Sequence, residues 1–163
     1  MVMDKDLFLD FSYGNYIVST TAPDGRLAGA AMNTVFQLTE EPFLLAICFN
    51  HVSATGQYLR QSGQAAVTIL DETVSMALED RFGMQSSAQV DKFEGVPHAL
   101  APNGAPYLTE HALSWFSGPI RQVIPLATHD LFLMEVTDCG RLSDSHAPMT
   151  YALYRQRKAQ EQK

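Results

Sequence analysis

The chain has 163 residues and a mass of 18.0 kDa, with 46% hydrophobic and 18% charged residues. That is globular composition for a single domain over residues 1–163, and it excludes wholesale disorder. The net charge of −7 and pI of about 5.1 repel phosphate backbones and anionic lipid, so neither nucleic acid nor a membrane surface is an expected partner.

The opening Met-Val-Met-Asp-Lys-Asp is acidic where a secretory signal is basic. No apolar run approaches the roughly 20 residues that span a bilayer, so a soluble cytoplasmic protein is expected. Asn15–Thr21 is rich in β-branched and aromatic residues and is followed by Pro23-Asp24-Gly25, which predicts a strand entering a tight reversal. From Arg26 to Thr39 small residues alternate with Asn33, Thr34 and Gln37. The unbroken apolar run Phe43–Phe49 predicts a central strand. Ser53 and Thr55 are helix-capping types and Gly63 a terminator, which bracket a helix of about two turns. Ala65–Leu70 reads as a strand and Glu72–Phe82 as a helix ending before Gly83.

Met84–Pro106 is predicted to be loop with one short strand near His98–Ala101. His111–Leu126 reads as a strand with a bulge or bend at Gly118-Pro119, turning at Ala127–Asp130 into a return strand over Leu131–Leu142. Tyr151–Lys163 becomes almost wholly polar beyond Tyr154, with a polar tail over 156–163, and is expected to fray or to lie on a partner subunit. About six strands and two or three short helices favour a mainly β fold, a closed antiparallel barrel, over a doubly wound sheet.

Cys48 and Cys139 are far apart, in apolar stretches, and read as buried free thiols; no CxxC, HxH or HExxH pattern exists, so no metal is expected. No nucleotide-binding glycine fingerprint is present, and no triad or paired carboxylates follow from spacing, so no catalytic side chain is assigned. Two constellations carry chemistry. Asn33, Thr34 and Gln37 offer uncharged donors for the edge of a flat heteroaromatic ring, while Asn50, His51, Ser53 and Thr55 lie at a predicted helix N-terminus, where open N–H groups hold phosphate. In the loop after the second helix, Phe82 offers a stacking ring, Ser86 a donor and Lys92 a charge. The plainer reading of both sets is a helix cap, a bulged strand and a solvated surface loop. His129 reads as a turn-stabilising residue.

These stretches occur in a familiar order: Tyr13-Gly14-Asn15-Tyr16, Asp24-Gly25, Asn33-Thr34-Val35-Phe36-Gln37-Leu38-Thr39, Asn50 with Thr55, Phe82-Gly83-Met84-Gln85-Ser86, Val90-Asp91-Lys92-Phe93, His129, Glu135-Val136 and Met149-Thr150-Tyr151-Ala152. Over about residues 11–155 the chain resembles the flavin reductase-like, FMN-binding split-barrel family. The likeness is nearest to NADH:FMN oxidoreductases, flavoredoxins and the flavin domain of high-molecular-weight rubredoxins. The resemblance implies a six-stranded antiparallel Greek-key split barrel, a homodimer and one non-covalent FMN per subunit. Asn33, Thr34 and Gln37 would face the ring or ribityl groups, Asn50, His51, Ser53 and Thr55 the phosphate, and Phe82, Gly83, Ser86 and Lys92 would close the site. The chain departs from the family pattern at His51 (often Lys), Ser87 and Met134 (often Gly), Ser117 (often Cys) and Arg155 (often His).

The implied activity is transfer of electrons from NADH or NADPH through FMN to a flavin, a ferric complex or a separate rubredoxin-like protein. The alternative is a flavoredoxin-like carrier that holds FMN without efficient NAD(P)H oxidation. A third is a flavin- or heme-related split barrel that is no reductase.

Overall fold

The computed structural model describes residues 3–162; Met1, Val2 and Lys163, which enter the readings of the opening segment and the tail, lie outside them. A 3-10 turn at Lys5–Asp10 precedes the first hairpin, β1 (Tyr16–Thr21) and β2 (Leu27–Met32). Its reversal uses Gly25 at φ 86°, a left-handed position that suits glycine. Next come β3 (Val35–Glu40), β4 (Phe43–Asn50), α1 (Ala54–Ser62), β5 (Gln64–Leu70) and α2 (Met76–Met84). The short pair β6 (His98–Leu100) and β7 (Pro106–Leu108) leads to β8 (Ala112–Pro125), β9 (His129–Glu135), β10 (Asp138–Arg141) and α3 (Tyr151–Glu161).

The main sheet is antiparallel, in the order β2-β1-β5-β8-β9-β4-β3, with β10 also on β8. The expected mainly β, antiparallel architecture holds. Only Asn33-Thr34 separates β2 from β3 in the chain, yet these strands lie at opposite ends of that order. The sheet must therefore curl round until its ends meet, unpaired, giving a barrel split at that link. The apolar run Phe43–Phe49 is flanked on both sides, by β3 and β9.

The long strand β8 makes the curl possible. Its first half pairs with β5 and its second half with β9. At the changeover a Cβ on Gly118 would sit 1.8 Å from the Glu135 carbonyl oxygen, so only glycine lets the strands pass. Alternate residues of β1 then serve two cores. Val18 joins Ile47, Phe49, Leu59, Val67, Phe132 and Met134 inside the barrel. Ile17 joins Leu70, Val74, Phe82, Phe93, Leu108 and Met149 beneath α2 and α3.

Four expectations change. The return strand expected over Leu131–Leu142 is two strands, β9 and β10, interrupted at Val136-Thr137, and with the short β6–β7 pair ten strands stand where about six were expected. The second helix starts at Met76 and not at Glu72, because Asp71 Oδ1 accepts from Thr73 N in a turn and Ser75 caps the helix through Leu78 N; it also runs through Gly83 to Met84. The C-terminal segment does not fray: α3 is capped by Thr150, packs Leu153 and Tyr154 on the second core, and is pinned by Arg157 donating to the Glu72 and Val74 carbonyls and by Lys158 on Asp80. Polar anchoring of this kind leaves no hydrophobic pattern to read. Neither thiol is buried: Cys48 is half-buried and Cys139, on the short strand β10, is exposed.

Replacing Gly118 by alanine forces the β5–β8–β9 crossing apart, and overpacking of this kind costs about 3 kcal/mol; urea unfolding of Gly118→Ala should show an unfolding free energy lowered by about that amount, read as a lower midpoint at unchanged slope.

Candidate functional site

The β4–α1 connection is a tight turn in which Asn50 Oδ1 accepts from Val52 N at 3.1 Å. Ser53 then caps α1, its Oγ accepting from Gly56 N at 3.3 Å. The N–H groups of Ala54 and Thr55 are left with no acceptor in the helix, at the positive end of its dipole. Opposite this end runs the segment that follows α2. Between them lies a cavity of about 250 Å³ lined by Ser53, Thr55, Phe82, Gly83, Ser86 and Lys92, with Ser87 in its wall.

Lys92 dominates the electrostatics. It is only 2% exposed, and its Nζ donates to the carbonyl oxygens of Gly29 at 2.8 Å and Phe82 at 2.9 Å. Burial lowers its pKa to about 8. Among the described residues no carboxylate pairs with it, so the cavity holds a buried cation whose third donor is unspent. A buried charge of this kind calls for a counter-ion. The open N-terminus of α1 and the Ser86 hydroxyl complete a donor set suited to an anion such as phosphate.

Ser87, where the family pattern often has glycine, organises the wall. Its Oγ accepts from Gly29 N at 3.2 Å and donates to Gly29 O at 3.1 Å. With its one hydrogen committed there, the 3.0 Å contact between Thr55 and Ser87 has Thr55 as donor. The buried Thr55 hydroxyl thus gives its hydrogen to the protein, and Ser86, which accepts from Ala88 N, keeps its own for the cavity. Phe82 is buried edge-on against Phe93 at 5.1 Å, so its ring is core and the cavity gains from it a floor, not a stacking face.

The other anticipated residues are dispersed. Asn33 lines an adjoining cavity of about 210 Å³ with Asn15, Met32, Glu79, Tyr151 and Tyr154, the two cavities sharing Gly83 and Met84. Thr34 donates to Asn33 Oδ1 at 3.1 Å. Gln37 lies apart, in an apolar cavity of about 370 Å³ with Tyr16, Phe36, Phe43 and Phe116. Asn50 is spent on its turn, and His51 faces Asp130, which also binds Arg60 at 2.6 Å and is held below the usual carboxylate range by that guanidinium. His129 pairs with Thr128 at 2.7 Å in the β8–β9 turn.

Glu79 escapes a reading of the sequence, since a glutamate in the first turn of a helix looks solvated. The fold buries it to 2% exposure and gives both its oxygens to Asn15 Nδ2, at 2.8 and 2.7 Å. Burial raises its carboxyl above the usual range, against the downward pull of Asn15.

Residues 8–161 match the family model described as the flavin reductase-like domain. The chain is 36% identical over 152 residues to a ferric-chelate reductase (NAD(P)H) of Archaeoglobus fulgidus, covering 93% of this chain and 89% of that one. It is 33% identical to a high molecular weight rubredoxin of Moorella thermoacetica, over 94% of this chain and 66% of that longer one. The fold matches the NADH:FAD oxidoreductase of Streptomyces globisporus C-1027, solved with NAD and FAD fragments, with a TM-score of 0.82 at 23% identity over 95% of this chain and 94% of that one.

The state of Lys92 sets a pH dependence. Its folded pKa of about 8 lies below the 10.5 of an ordinary lysine, so the unfolded chain holds this proton more tightly. The penalty is complete below pH 8 and is relieved as pH rises from 8 to 10.5. An anion in the cavity favours charged Lys92, so its binding weakens over the same interval. The rise in melting temperature produced by inorganic phosphate should be clear at pH 7 and largely gone at pH 10.

Proposed function

The chain belongs to the flavin reductase-like family, and from that premise we propose that it is an FMN-binding NAD(P)H:flavin oxidoreductase. The observation that carries the cofactor assignment is the unpaired, buried Lys92 at the open end of α1: in a chain of net charge −7, this is a locally built anion site, and it fits the FMN phosphate. Lys92, Ser86 and the Ala54 and Thr55 N–H groups would hold that phosphate. Asn33, with Thr34 bonded to it, lies on the way to the adjoining cavity and would meet the polar edge of the cofactor. Bound FMN supplies the exchange of electrons between a reduced nicotinamide and an acceptor. The protein's part is to hold and orient. Thr55 and Ser87 fix the α1 terminus against β2, and the Gly83–Ser86 segment narrows the mouth. No side chain is assigned as acid or base.

The partner reading is a homodimer. β3 is an edge strand with Phe36 and Leu38 exposed, Phe43 is exposed beside it, and the apolar cavity containing Gln37 opens there. An exposed apolar edge of this kind is ordinarily covered, and a second copy of the chain would cover it. The acceptor reading includes a separate rubredoxin-like protein, since the chain spans about two thirds of the high molecular weight rubredoxin it matches. Two distant free thiols and the use of a reduced nicotinamide accord with a cytoplasmic setting.

Anaerobic absorbance tests the function: protein reconstituted with FMN should retain flavin bands that bleach on NADH or NADPH. Bands that only dithionite bleaches would mean a carrier, and no retained flavin would remove the cofactor assignment. For the assembly, sedimentation of the wild type should give a dimer and of Phe36→Glu/Leu38→Glu a monomer; a wild-type monomer with FMN bound overturns the dimer.

A further inference from the structure

Two apolar features of the chain lie outside both of its cores. The first is the N-terminal arm. Leu7, Phe8 and Phe11 are all exposed, and the 3-10 turn Lys5–Asp10 buries no residue. Such a helix has three residues per turn, so Phe8 and Phe11 share a face, and their rings stack at 6.3 Å and 21° into one wedge. Neither ring joins a core of its own chain, which is how an aromatic anchor for another surface is presented. The arm leaves the body at Tyr13, whose carbonyl accepts from Tyr151 N at 2.9 Å.

The second feature is the apolar cavity of about 370 Å³ beside the seam, whose lining includes Tyr16, Phe36, Phe116 and Cys139 and no residue of the arm. Tyr16 is five residues beyond Phe11, so the arm springs from within about 18 Å of that lining. The charges agree with a match between the two. The arm carries Asp4, Asp6 and Asp10 against Lys5 alone. Arg141 stands two residues from Cys139, on the same face of β10; it is exposed and, among the described residues, paired with no carboxylate. We propose that the arm of each protomer crosses to a second copy of the chain, seats Phe8 and Phe11 in that copy's seam cavity and sets its aspartates against Arg141 there. A twofold dimer makes the contact in both directions and so leaves neither an arm nor a cavity uncovered. The inference rests on the dimer reading and is independent of the reductase chemistry.

Cys139 supplies a native reporter in the cavity. In Leu7→Cys/Cys48→Ser protein a short bismaleimide should join the new thiol to Cys139, giving a product of twice the chain mass on a denaturing gel and a 7–139 link in the peptide masses; Cys48→Ser alone reports any link between two Cys139 thiols. In parallel, Phe8→Ser/Phe11→Ser should raise the dimer dissociation constant at least about tenfold by sedimentation equilibrium, the scale of losing buried aromatic area. Both rings lie outside the cores, so the variant keeps its fold. A 7–139 link within a single chain places the arm on its own protomer and overturns the proposal, as does the lack of any 7–139 link or an unchanged dissociation constant. Any of these three results in a wild-type dimer removes the arm and leaves the dimer reading standing, whereas a wild-type monomer removes both.

Discussion

Everything around the site converges on the backbone of Gly29. Its carbonyl accepts from Ser87 Oγ and Lys92 Nζ, and its N–H donates to Ser87. A Cβ there would meet Phe82 at 2.9 Å and Phe93 at 3.1 Å, so it is the packing of the two rings that requires glycine. The backbone of one residue thus joins β2, the end of α2 and the 82–93 segment, and Thr55 joins α1 to the same group through Ser87. Lys92 is drawn into this knot by two carbonyl oxygens that cannot neutralise it. Its charge is solvated by dipoles but not cancelled, and the resulting local field is what sets a positive cavity in an acidic protein.

The barrel supplies the rigidity this arrangement requires. Because β8 spans two halves of the sheet and bends at Gly118, β2 and β3 are brought round to the same seam, and the Asn33-Thr34 link is held where they meet. The helices do not contribute a separate layer. α1 points its open end at the seam side of β2, α2 passes its C-terminal end beneath the cavity, and α3 closes the neighbouring space with two tyrosines. The cavity lined by Lys92 and the cavity lined by Glu79 therefore lie side by side, sharing Gly83 and Met84.

Much of the fold was legible because local signals agreed with the tertiary result. The β-branched run at Tyr16–Thr21, the reversal at Gly25, and the Ser53 cap with Gly63 at φ 66° each carry their own physical cause. The bend at Gly118-Pro119 was equally visible. Legibility failed where the deciding contact is polar and distant. α3 has almost no apolar pattern and is held by Arg157 on two carbonyls of the β5–α2 turn. In the site, Ser53, Thr55, Gly83, Ser86 and Lys92 proved to share a cavity, whereas Asn50 and His51, adjacent to Ser53 in the chain, turn to other partners.

The sequence by itself determined the mainly β class, the helix caps, the exclusion of an ordinary nucleotide fingerprint and the residue types from which an anion site could be made. Those are short-range properties, written in neighbours a few positions apart. The tertiary structure alone decided that Lys92 is buried with no carboxylate paired to it among the described residues, that Thr55 spends its hydrogen on Ser87, and that Glu79 is buried against Asn15 in the wall of a tyrosine-lined cavity. Each depends on partners 32 to 64 positions away, and burial, which sets the energy of a charge, is a property of the packed whole and not of any segment.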